Sequence, residues 1–106
     1  MKNRFGEKLD ANGYAPSIIG ESHNCYFCGK WDQRNQRHEV YHGVAYRTKS
    51  KNLGIWVNLC ESCHDRLHHK DASLDLRLKT EIQEVVMKEF GWSVEDFRRE
   101  FGKSYL

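Results

Sequence analysis

The sequence predicts a small α+β fold held together by zinc. Three observations carry that expectation. All four cysteines fall in two Cys-x-x-Cys pairs, Cys25/Cys28 and Cys60/Cys63. Two short β-prone runs lie between the pairs. After the second pair, the apolar residues recur at helical spacing. A chain of 106 residues is one domain's worth, and so small a core gains from a structural metal.

The elements follow in order. Residues 1–22 hold the only proline, Pro16, and show no apolar period. They read as an irregular N-terminal arm, and residues 23–106 as a zinc-containing domain with a helical C-terminal extension. Cys25 to Lys30 reads as a metal-binding turn. His38 to Tyr46, rich in Val and Tyr, reads as a strand, and Leu53 to Leu59 as a second. The polar stretch Arg47–Asn52 reads as the loop joining them. Glu61 to about His69 reads as helix. A longer helix is expected from Leu74 to Phe90, where Leu74, Leu78, Ile82, Val85, Val86 and Phe90 share one buried face. Gly91 would stop it. Ser93 and Asp96 have the form of a capping box opening a last helix. In that helix Phe97 and Phe101 sit one turn apart and can pack together. Trp31, Trp56 and Trp92 read as core or half-core residues.

Composition excludes several classes. Hydrophobic residues make up 39% and charged residues 30%, a globular balance. No apolar run approaches the roughly 18 residues of a membrane span. Met1 to Asp10 is charged throughout, so a secretory signal is not expected and the reducing cytoplasm is. A net charge of +2 says little about partners. The local run of Arg47, Lys49 and Lys51 says more, because such a cluster can hold a phosphate backbone. The plainer reading of that run is a solvated loop.

The cysteine spacing has a physical reason. Two residues between cysteines let both thiolates of a tight turn face one ion. Zinc takes four such ligands at tetrahedral corners, at roughly 2.3 Å each. Gly29 suits a turn that needs positive φ. Disulfides do not fit a reducing compartment, and a redox pair would normally occur once. Cys25, Cys28, Cys60 and Cys63 are therefore assigned to one structural zinc.

There are six histidines. His64 follows Cys63 directly, and on a helix it shares a face with His68. That is a two-armed divalent-metal grip. His38 and Glu39 open the first strand, which the zinc would bring near this helix. His23, His42 and His69 read as surface or packing residues.

Taken together, Cys-x-x-Cys, a strand with His38-Glu39-Val40-Tyr41, a basic connection, then Leu59-Cys60-x-x-Cys63-His64, resembles the HNH endonuclease superfamily. With Gly43 and the late Phe-Gly-Lys-Ser-Tyr, it is similar to small HNH-type proteins encoded by phages and prophages. The resemblance spans about residues 25–106. It implies a zinc-stabilised ββα-metal (HNH, His-Me finger) core with C-terminal helices. It implies a catalytic divalent ion, Mg²⁺, Mn²⁺ or another, held by His38, His64 and His68. The catalytic residues it implies are His38, Glu39 and His64, with either His38 or Glu39 as general base. The family's middle asparagine falls at Asn58 or Asn52. Arg47, Lys49 and Lys51 would contact DNA.

The function expected from this is metal-dependent cleavage or nicking of DNA. The alternative is a non-catalytic zinc module that binds nucleic acid or protein, including a phage-encoded inhibitor of a host protein. Expected partners are DNA, a protein, or a second copy of the chain. One site of this size nicks as a monomer and cuts both strands only as a dimer or by repeated action. The compartment would be the host cytoplasm for a phage product.

Overall fold

A computed structural model describes residues 1–20 and 22–106. The hairpin pairs β1 (Gln36–Glu39) with β2 (Trp56–Leu59) in antiparallel register, His38 opposite Val57 and Glu39 opposite Trp56. Between them lies a short helix, α1 (Arg47–Asn52). After β2 come α2 (Glu61–Asp65), a wide π-type turn over Arg66–Lys70, α3 (Ala72–Phe90) and α4 (Val94–Phe101). The order is strand, short helix, strand, helix, with two further helices behind; a loop is expected where α1 stands.

The first strand is much shorter than Val and Tyr content suggested. The ladder runs one bond past β1, from Val40 N to Ile55 O at 3.1 Å. Then the chain bends. Tyr41 is buried and its ring meets those of Phe97, Phe101 and Tyr105 at 5.2, 4.6 and 5.6 Å. Val44 points entirely into solvent. β-branched and aromatic residues here serve a turn and an aromatic core, not a ladder.

Arg47–Asn52 is helix, not loop. It offers no apolar stripe, which is why sequence pattern misses it. Ser50 does the anchoring instead. It is fully buried, and its Oγ donates to Tyr41 O at 2.8 Å and accepts from Tyr41 N at 3.3 Å. Six residues could not hold a helix alone.

The helical end follows the sequence closely. Leu78, Ile82 and Val86 are buried, with Leu74 and Phe90 packed at the edge. Val85 departs from the expected stripe and is 38% exposed, since it lies one residue off the contact line. Gly91 ends α3 at φ 67°. Ser93 and Asp96 form both bonds of the capping box, and the Phe97 and Phe101 rings lie 5.1 Å apart. Gln83 is buried within α3 and clasps the chain beyond α4. Its Oε1 accepts from Tyr105 N at 2.6 Å and its Nε2 donates to Ser104 Oγ at 2.9 Å.

The first twenty residues form turns and one isolated bridge, Lys2 with Lys8, and lie against β2. Trp56 Nε1 donates to Ala15 O and Ser17 Oγ to Trp56 O. Gly54, at φ 74°, allows this approach, because a Cβ there would sit 2.1 Å from Pro16 O. Trp56 is therefore core and Trp92 half-core. Trp31 is neither. Its backbone bridges Asn24 at the mouth of the cysteine turn, leaving the side chain 62% exposed.

Candidate metal centres

The first centre is the cysteine set. The Cys25–Lys30 turn closes through Gly29 N to Cys25 O and Cys25 N to Lys30 O, both 2.9 Å, with Gly29 at φ 75°. Tyr26 N donates to Asn58 O, which fastens the turn to β2. Cys60 caps α2, its Sγ accepting from Cys63 N at 3.4 Å. The four Sγ atoms lie within 4.8 Å of one another. Cys28 and Cys60 Sγ are 3.7 Å apart, close to the roughly 3.8 Å edge of a tetrahedron with 2.3 Å arms.

The electrostatics fit a cation. Burial pushes the Cys25 thiol up, but backbone N–H groups of Cys28, Cys60 and Phe27 outweigh it and bring it down to about 7. Burial raises the Cys63 thiol, and the neighbouring sulfurs raise it further. Those protein groups disfavour the Cys63 thiolate. A dication among the sulfurs would supply the missing positive charge. Four cysteines so placed can hold one zinc ion.

The second centre is a histidine cluster beside the first. β1 carries His38, 3% exposed, and its Nε2 has no hydrogen-bond partner. α2 carries His64, and the wide turn carries His68. Their Nε2 atoms are 3.1 Å apart, near the roughly 3.3 Å ligand separation of a tetrahedral ion with 2.0–2.1 Å bonds. The His38 ring lies 5.2 Å from His64 and 5.3 Å from His68. One nitrogen of each falls within 4.8 Å of the others. Burial, then the neighbouring histidines, depress His38 to about 3, and burial lowers His64 and His68. All three therefore present neutral imidazoles, the form that binds metal.

Glu39 does not join this set. Strand alternation points it away from His38, and its Oε1 lies 3.8 Å from Arg47 Nε. Its charge still reaches His64, favouring the protonated ring there. Asn58 is buried opposite Arg37, its Nδ2 donating to Ser22 O while its Oδ1 has no partner. Asn52 ends α1, its carbonyl accepting from Asn3 Nδ2. His23 and His69 lie outside the ligand sets.

From sequence His42 is a surface or packing residue, and the structure gives it more. Its Nε2 lies 3.1 Å from Asp75 Oδ1, and its ring is 5.4 Å from His38. Asp75 feels burial, which raises its carboxyl. The bonds from His42 and Lys79 outweigh this and hold it at about 2. The even spacing of His38 and His42 hinted at a shared face. Nothing in the sequence placed Asp75 of α3 beside them.

The three basic residues lie on α1, each engaged differently. Lys49 Nζ is tied to Glu100, 2.8 Å from its carbonyl and 3.2 Å from its carboxylate. Lys51 Nζ rests 4.9 Å over the Tyr14 ring. Arg47 has a side chain 62% exposed.

Fold and centres together define a small α+β chain, a two-stranded sheet with helices, built around a four-cysteine cluster fit for zinc. Among the described residues no helix is long and apolar enough to cross a membrane. No family model matches the chain, and no curated protein or solved structure does either.

Proposed function

We propose that the protein is a metal-dependent DNA endonuclease or nickase of the HNH type, with a zinc-stabilised ββα-metal core. One observation carries the reading. His38 from the strand and His64 and His68 from the helical segment after the second cysteine pair converge within 4.8 Å. A divalent ion bound there would offset charge on a phosphodiester and its leaving oxygen. The imidazole donors suit later first-row ions such as zinc or nickel better than magnesium. In this reading His38, buried and with an unpartnered Nε2, serves as a ligand. Glu39 lies outside that set on the other face of the strand, with its Oε1 3.8 Å from Arg47 Nε, and enters this reading only as a negative charge felt at His64. Lys30 and Arg34 border the open groove beside His64 and His68, where a DNA backbone would run.

Incubation of the zinc-loaded protein with supercoiled plasmid tests this. Nicked or linear product should form with Mn²⁺ or a later first-row ion and not with chelator. No conversion under any divalent ion would leave the non-catalytic zinc module, binding nucleic acid or protein.

The basic helix makes a separate expectation. Arg47→Ala with Lys51→Ala should weaken DNA binding about equally for all sequences. It should also flatten the salt dependence by about two units of slope. Lys49→Ala should instead lower thermal stability, because Lys49 joins α1 to α4. An unchanged salt slope in the double variant would make α1 a plain solvated surface.

A further inference from the structure

We infer a second divalent-ion position in this chain, formed by His38, His42 and Asp75 and alternative to the His38–His64–His68 position. It holds whether or not the chain cleaves DNA.

The geometry is that of a ligand set. One atom from each of His38, His42 and Asp75 falls within 4.8 Å of the others. His42 Nε2 and Asp75 Oδ1 stand 3.1 Å apart, near the roughly 3.3 Å that adjacent ligands of a tetrahedral ion adopt. Asp75 is not free to swing. Its Oδ2 accepts from Lys79 Nζ at 2.8 Å, which leaves Oδ1 directed at His42. Such a partner on the far oxygen is how ligating carboxylates are oriented. His38 supplies the independent observation. Its Nε2 is buried with no hydrogen-bond partner, and a buried polar atom without a partner calls for one. Two imidazoles and one carboxylate favour zinc, cobalt or nickel over magnesium.

The two positions share His38, and this decides their relation. A neutral imidazole has one free lone pair, its other nitrogen carrying the proton. His38 can therefore complete one set or the other. The chain holds one ion in the cluster, besides the cysteine zinc, and that ion has two places to sit. The Lys79 charge opposes a cation near Asp75, so the second place is the weaker.

Cobalt(II) titration of the zinc-loaded full chain tests this, followed by its visible bands. A strong near-ultraviolet thiolate band would reveal exchange into the cysteines. Wild type should bind one Co²⁺ in the cluster. His64→Ala/His68→Ala should still bind one, about 10- to 100-fold more weakly. Adding His42→Ala or Asp75→Asn should remove it. The His64→Gln/His68→Gln pair keeps size and polarity and gives the same readout if the alanine pair unfolds. A folded double variant that takes up no Co²⁺ overturns the inference. So does uptake that survives both His42→Ala and Asp75→Asn, or two cluster ions in wild type.

Discussion

Cys60→Ser should abolish the folded state, and Cys25→Ser should do the same. Purified wild type should carry about one tightly held zinc per chain, and either variant none. The reasoning starts with what Cys60 connects. It directly follows β2, caps α2 through its sulfur, and its Sγ lies 3.7 Å from that of Cys28 in the other pair. The two pairs are thus joined through the cluster, and the cluster joins the N-terminal turn to the helix. Structural zinc in small domains is worth roughly 10 kcal/mol or more of folding free energy. A domain's whole stability is about 5–15 kcal/mol. Serine offers a poor ligand, and removing one thiolate leaves three sulfurs around an incomplete tetrahedron. Far-ultraviolet circular dichroism with zinc analysis checks this. A zinc-free variant that melts like wild type would show the cysteines to be ordinary core residues.

His64→Ala and His68→Ala should each reduce DNA cleavage by at least about a hundredfold, since losing even outer-shell support of a metal costs 10- to 100-fold. Stability should hold. His64 is half-buried and His68 exposed, and neither anchors the aromatic core around Tyr41. The cysteine zinc should remain at full stoichiometry in both. Glu39→Gln separates the roles further. The amide keeps the shape of the side chain and cannot accept a proton; with Glu39 on the far face of the strand from His38, turnover and metal uptake by the cluster should both be unchanged. A His64 variant as active as wild type would remove the histidine cluster from the chemistry.

The parts legible in the sequence were those set by short-range rules. Cysteine spacing, helical periodicity, the Ser93–Asp96 box and the Gly91 stop all depend on residues within a turn or two of one another. The convergence of His38 with His64 and His68 was also within reach, because the cysteine pairs imply which strand meets which helix. What was missed depends on distant partners. α1 is fixed by a buried hydroxyl bonded to Tyr41, which looks from sequence like any loop serine. The first strand ends early because Tyr41 is drawn into rings contributed by α4 and the residues beyond it. Asp75 joins His42 only because α3 packs against the segment that follows β1, where Tyr41 also bonds to Lys79. Trp31 was assigned by residue type, and type alone does not say that only its backbone is used.

The clasp of Gln83 on Ser104 and Tyr105 bears on how the chain matures during synthesis. The cysteine set is complete once Cys63 has left the ribosome, so zinc can knot the hairpin while translation continues. Tyr41 then waits, its hydrophobic face uncovered, for Phe97, Phe101 and Tyr105. Metal capture at that point would precede core closure, since the cysteines come before α4 in the chain. In the interval a zinc-bound nascent chain would be a pinned hairpin with an open aromatic socket, and the residues that shut it, Ser104 and Tyr105 among them, emerge only after α4.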